Sequence, residues 1–253
     1  MIRHMYLFKR SFPRLMDIFF WPVVSILTWG FLTTYLEKIN SNSVNVVSIL
    51  LGAIIFWELL NRFQNAVSIT FLEEVWEKNF LNIFVTPLTI SEFLSATVVI
   101  ALIRMCIVLF VLTTISVLAY HFTIFSFGLN LIPFLAVLLL FAFSVALFIM
   151  ALILRFGTSA QIFAFALIFL IQPFGAVFYP VSALPLSVQW ISWCFPSTYV
   201  FEGMRSVITS GILPSDLLWK GIALALVYVA FMLVYFYRMF ANVKERGRLL
   251  KID

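Results

Sequence analysis

Charged side chains are scarce in this sequence: they make up 11% of its 253 residues, against about a quarter in a soluble domain. It also holds only nine glycines, two cysteines and two histidines. Cys106 lies inside a hydrophobic run and Cys194 in a late polar-aromatic stretch, so a disulfide framework is excluded and a bridge between the two is not expected. With His4 and His121 as the whole histidine complement, neither a protein-only metal site nor a histidine base is supported. The phosphate loop GxxxxGK[ST], the GxSxG elbow and the HExxH helix are all missing, and each is the usual mark of a hydrolytic site. There is no internal repeat and no low-complexity tract.

What the chain has instead is apolar surface. Hydrophobic residues make up 64%, phenylalanine alone contributes 30, and the mean hydropathy is +1.11. This composition identifies an all-α integral membrane protein. Crossing about 30 Å of hydrocarbon takes about 20 helical residues, and six stretches qualify: 18–36, 46–70, 93–119, 130–154, 158–178 and 217–240. Residues 1–16 are basic and amphipathic, and are expected to lie on the inner leaflet. A cleaved signal peptide is the competing reading. It fails because the run from Ile18 to Leu36 is longer than a signal core and no small-x-small site follows.

Basic residues orient such a bundle. With the N-terminus inside, eleven fall on the cytoplasmic side: Arg3, Lys9, Arg10, Arg14, Lys78, Arg155, Arg238, Lys244, Arg246, Arg248 and Lys251. Three (Lys38, Arg205, Lys220) fall outside, and Arg62 and Arg104 lie within spans. That asymmetry predicts cytoplasmic N- and C-termini and reads the positive balance as topology, with no nucleic-acid partner.

The long polar interruption on that inner side is Leu72–Leu88. Leu72, Val75, Trp76, Phe80, Ile83 and Phe84 recur at helical spacing, with Glu73, Glu74, Glu77, Lys78 and Asn82 opposite, and Thr86-Pro87 ends the pattern. The spacing predicts a separate interfacial helix. Three glutamates against one lysine are the wrong sign for anionic lipid, which favours a protein partner. An amphipathic connector packed under its own bundle fits the same pattern.

Two constellations lie deeper. Glu58 and Arg62 are one turn apart in the second span, and Arg104 of the third reaches a similar level. A buried network of Glu58 with Arg62 or Arg104 is expected, because ionisable groups at that depth need partners or water. It either fixes helix register or lines a path. Residues 179–216, rich in proline and aromatics, predict short helices at Leu186–Phe195 and Thr198–Thr209 that dip into the outer leaflet. Trp190, Trp193 and Tyr199 would then sit at headgroup level. Gln172-Pro173 should break the fifth span. Glu202 and Arg205 read as a local ion pair before a cargo contact.

In order and spacing these stretches resemble the membrane subunit of an ABC-2 type exporter. FLEEVWEKNFLNIFVTPLTISEF (71–93) is similar to the family's acidic cytoplasmic segment, its coupling helix. FYPVSALPLSVQWISWCFPSTYVFEGMR (178–205) resembles its extracellular re-entrant hairpin, with Phe195 where asparagine is frequent and Tyr179 interrupting a Phe-Pro pair. KERGRLLKI (244–252) resembles its basic terminus. The resemblance implies a single transmembrane domain over 1–253. It would have a coupling region at 71–92, an outer hairpin at 179–216 that includes Pro180, and a cytoplasmic tail at 241–253.

The resemblance further implies a transport subunit without enzymatic activity, in a bacterial inner membrane. A second half, as in a homodimer, and membrane lipid would complete the pathway. A separate ATP-binding cassette ATPase would dock on Glu73, Glu74, Trp76, Glu77, Lys78, Phe80 and Pro87. This chain would hold no cofactor, with ATP and magnesium on the partner, and the cargo would be a lipid-linked glycan, a lipid or an amphipathic drug. A proton-coupled secondary transporter using Glu58, Arg62 and Arg104, or a membrane-embedded lipid-modifying enzyme, are the alternatives.

Overall fold

The computed structural model describes residues 12–39, 44–77, 87–123 and 129–245, and every regular element among them is helical. Five helices are long and apolar enough to cross a membrane: α1 (Phe12–Ile39), α2 (Val44–Trp76), α3 (Ile90–Tyr120), α4 (Ile132–Phe156) and α8 (Ser215–Glu245). Between α4 and α8 lie three shorter ones: α5 (Gln161–Ile171), α6 (Leu186–Trp193) and α7 (Pro196–Ser210).

The helix ends follow local chemistry. Thr89 caps α3 through the Glu92 amide while the Glu92 carboxylate accepts from the Thr89 amide, a reciprocal box. α3 stops at His121 in the left-handed region, and α7 stops at Gly211 (φ 71°). Pro196 opens α7 where its missing N–H costs nothing.

α4 is apolar all round and buried along most of its length, with small residues Ala142, Ala146 and Ala151 fully inside. It packs most heavily on α8 and α2, so it forms the bundle's centre. Phe141 meets Tyr228 and Phe148 meets Tyr235, so α4 and α8 run parallel. The chain from 157 to 214 must therefore return along the bundle. Phe71 stacks edge-on against Phe93 and Phe236 at 6.1 and 6.0 Å, tying α2, α3 and α8 together at one end. Outward-facing Phe110, Leu118, Val227 and Phe231 are exposed, as a lipid-facing shell requires.

The first span falls close to its expected place, its membrane-length apolar part being Phe19–Ile39 within a helix that begins at Phe12, while residues 1–11 lie outside the described residues. Two expectations need correction. The predicted span 158–178 is α5, only 11 residues, preceded by a 3₁₀ turn at Gly157–Ala160. At about 1.5 Å per residue α5 covers about 16 Å, and Pro173 stops it. The separate helix expected from Leu72 is, as far as Trp76, the end of α2. No glycine or proline intervenes between Gly52 and Pro87 to break it, and its apolar side (Phe71, Leu72, Val75) packs into the bundle. Residues 78–86 lie outside the described residues, Lys78 and Phe80 among them, as do 246–253 of the tail.

α7 packs on α4 at Gly203, where an added Cβ would stand 2.2 Å from the Phe134 ring. Gly203→Ala is expected to lower stability by about 1–3 kcal/mol through overpacking. Gly211→Ala, in open space but at positive φ, should cost about 1 kcal/mol. Thermal unfolding midpoints of the detergent-solubilised chain test that order, and an equal or reversed pair would contradict the packing.

Candidate functional site

A helix as apolar as α2 can carry polar groups at mid-length only where they are paired or wet. Glu58, Asn61, Arg62 and Asn65 recur at i, i+3, i+4 and i+7, so they share one face. That face lines a cleft of about 560 Å³ between α1, α2 and α5. Arg62 Nε donates to Glu58 Oε2 at 3.3 Å, and Asn65 Nδ2 donates to Asn61 Oδ1 at 2.6 Å. α1 contributes Ser25 and Thr28, and Gln172 joins them from just past the end of α5. Tryptophan supplies the walls: Trp21 and Trp29 from α1, and Trp57 from α2, whose ring lies 6.5 Å from Phe169 of α5.

The expected contact of Glu58 with Arg62 is present. No α3 residue lines the cleft, and Arg104 is half-buried on α3. A second cavity of about 280 Å³ lies on the other side of α5, between α4, α5 and α8. Its two hydroxyls are already engaged, Ser144 with the Leu140 carbonyl and Tyr228 with that of Cys194, so its walls offer no free polar group. The two clefts share α5 as a partition.

At its far end α5 gives way to a turn at residues 172–180. Trp29 stacks on Phe178 of that turn at 4.5 Å, holding it to α1. Arg205 of α7, only 8% exposed, reaches into it: Nη2 donates to the carbonyls of Ala176, Val177 (3.0 Å) and Tyr179 (2.7 Å). Glu202 lies 3.5 Å from Arg205 Nη1, and its Oε1 also accepts the Val181 amide at 2.6 Å. The expected ion pair is present, with the turn's backbone as a third member. Burial draws the Arg205 guanidinium below its ordinary pKa and Glu202 opposes that, but arginine stays protonated throughout.

The short helices α6 and α7 fall where the proline-rich stretch predicted them. Trp190 points outward, Trp193 is half-buried against Tyr199 at 5.0 Å, and Pro180 precedes the 3₁₀ turn Val181–Ala183. Cys106 and Cys194 are both free thiols.

At the opposite end, the acidic residues do not form one exposed patch. Glu74 is 2% exposed, Glu73 half-buried, and Trp76 and Glu77 exposed. Pro87 is exposed beyond the segment outside the described residues.

A bundle of long apolar helices, with a polar cleft and a proline-broken hairpin, is the framework of a transport subunit. Over residues 5–209, which span α1 to nearly the end of α7, the sequence matches the ABC-2 type transporter family. The chain belongs to that family. No curated protein matches it. As an ABC-2 permease it is a multi-pass membrane protein and the transmembrane component of an ABC transporter.

Asn65 and the three tryptophans were not singled out from sequence, and Gln172 only as part of a helix break, although the 58-61-62-65 spacing in an apolar helix was a legible signal. The clamp around residues 176–181 had none, since it engages backbone carbonyls. The Thr89-x-x-Glu92 box was readable and marks the start of α3.

Glu58→Gln is expected to lower the unfolding free energy by about 1–3 kcal/mol by removing the charge partner of Arg62. Adding Arg62→Gln should recover part of that loss. Strict additivity in a double-mutant cycle would mean the two side chains do not interact.

Proposed function

We propose that the cleft between α1, α2 and α5 is one half of a translocation pathway, completed by a second copy of the chain. The observation that carries this is the polar face Glu58, Asn61, Arg62 and Asn65, which lines a cleft at mid-length of α2. Lipid tails offer no hydrogen bonds to such a face, so protein or water must cover it. A homodimer supplies both a matching wall and the width that one bundle lacks.

Energy enters from a separate ATP-binding cassette subunit, which holds the ATP and Mg²⁺. α2 is 33 residues, about 50 Å at about 1.5 Å per residue, so it outreaches a bilayer of about 30 Å. Its end carries Glu73, Trp76 and Glu77, and Arg62 lies four turns back on the same unbroken helix. A push at Trp76 is thus delivered to the cleft wall by a rigid rod. Glu74, being buried, serves the fold and not the docking surface. The basic-residue asymmetry supports cytoplasmic N- and C-termini, and membership of the family supports export across a bacterial inner membrane. Tryptophan walls beside amides and a charge pair suit an amphipathic cargo, such as a lipid-linked glycan, a lipid or a drug.

The test is co-purification. The solubilised chain should bring down an ATPase, and Glu73→Lys with Glu77→Lys should weaken that association more than tenfold while the chain stays membrane-inserted. Undiminished association after reversal, or cargo movement in vesicles with no ATPase present, would overturn the reading.

A further inference from the structure

The buried cation of the outer hairpin, Arg205, is held by backbone carbonyls and by Glu202. α5 ends because Pro173 has no N–H, and beyond it the chain turns through Ala176 at φ 51°, a left-handed conformation that L-residues rarely hold without support. The carbonyls of Ala176, Val177 and Tyr179 converge on Arg205 Nη2, and the Val181 amide is taken by Glu202. Two further bonds close the same turn: Tyr179 Oη to the Pro173 carbonyl at 2.5 Å and Ser192 Oγ to the Phe174 carbonyl at 2.5 Å. Gly175 lies so close to α7 that a Cβ would stand 2.9 Å from Ser197 Oγ.

We infer that Arg205 is a positioning residue for transport, locking the outer end of α5, and with it the Gln172 wall of the cleft, to α7. α7 in turn packs on α2, α4 and α8. The guanidinium is the joint through which movement of those helices reaches α5. α5 needs such a joint because it is short, packs lightly on α2 and α4, and has the cleft on one face and the apolar groove on the other. Lysine, with a single ammonium in place of a planar fork, replaces the joint only in part. The inference rests on the cleft being the pathway, and its test separates the two.

The experiment uses the complex of the full chain with its ATPase, in nanodiscs, with Cys106 and Cys194 changed to alanine. A single reporter, Gln172→Cys at the end of α5 or Asn65→Cys on α2, is labelled with a hydrophilic maleimide without nucleotide and after trapping with ATP and vanadate. With Arg205 intact, both reporters should change labelling rate several-fold between the two states. Arg205→Gln should bring the Gln172→Cys ratio to about one while leaving the Asn65→Cys ratio and the ATPase rate within twofold, and Arg205→Lys should restore it partly.

If both reporters keep their response in Arg205→Gln, the inference is wrong and the pathway reading stands. If both lose it together, Arg205 serves only general folding and the inference is again wrong. If neither responds even with Arg205 present, the pathway reading itself fails and takes the inference with it.

Discussion

A carboxylate and a guanidinium one turn apart, at mid-length in an apolar helix, set the terms for the rest of this structure. Glu58 and Arg62 can occupy that depth because each partly neutralises the other and because both face a cleft instead of hydrocarbon. From this it follows that α2 must be held in one rotational setting. The setting comes from the opposite face of α2, where Phe56, Leu60, Phe63 and Val67 are buried, and from its flank, where Gln64 bonds Ser68 out of reach of solvent. Rotating α2 by even one residue, about 100°, would turn the charges into the core or into lipid.

The same rigidity links the two ends of the molecule. The sequence pattern divided α2 at residue 71, because polar residues begin there and amphipathic periodicity takes over. The structure keeps one helix, since nothing in SITFLEEVWE stops helical hydrogen bonding and the apolar side of that stretch still has the bundle to pack on. A stiff rod suits a lever better than a rod with a hinge. The other end uses the opposite device: α5 is broken by proline and the turn beyond it is held by side chains that satisfy its backbone.

Much of this was legible in the residues. The hydrophobic runs located five long helices, because a run of about 20 apolar residues has few other options. Proline and aromatics located α6 and α7 to within a few residues, and helical spacing paired Glu58 with Arg62 and Glu202 with Arg205. What escaped was tertiary. α5 has the hydropathy of a span but not the helical length, because its last third was read through Pro173. The clamp on residues 176–181 uses main-chain carbonyls, which every residue has, so no pattern of side chains could announce it.

The central claim is that the polar face of α2 is covered by water and protein, not by lipid. A nitroxide spin label at Asn65→Cys, with Cys106 and Cys194 removed and the complex in lipid bilayers, tests it directly through collision with two relaxers. Broadening by a water-soluble nickel chelate should exceed that by oxygen, as for a wet pathway. Dominant oxygen broadening with the nickel chelate excluded would place that face in hydrocarbon and contradict the account.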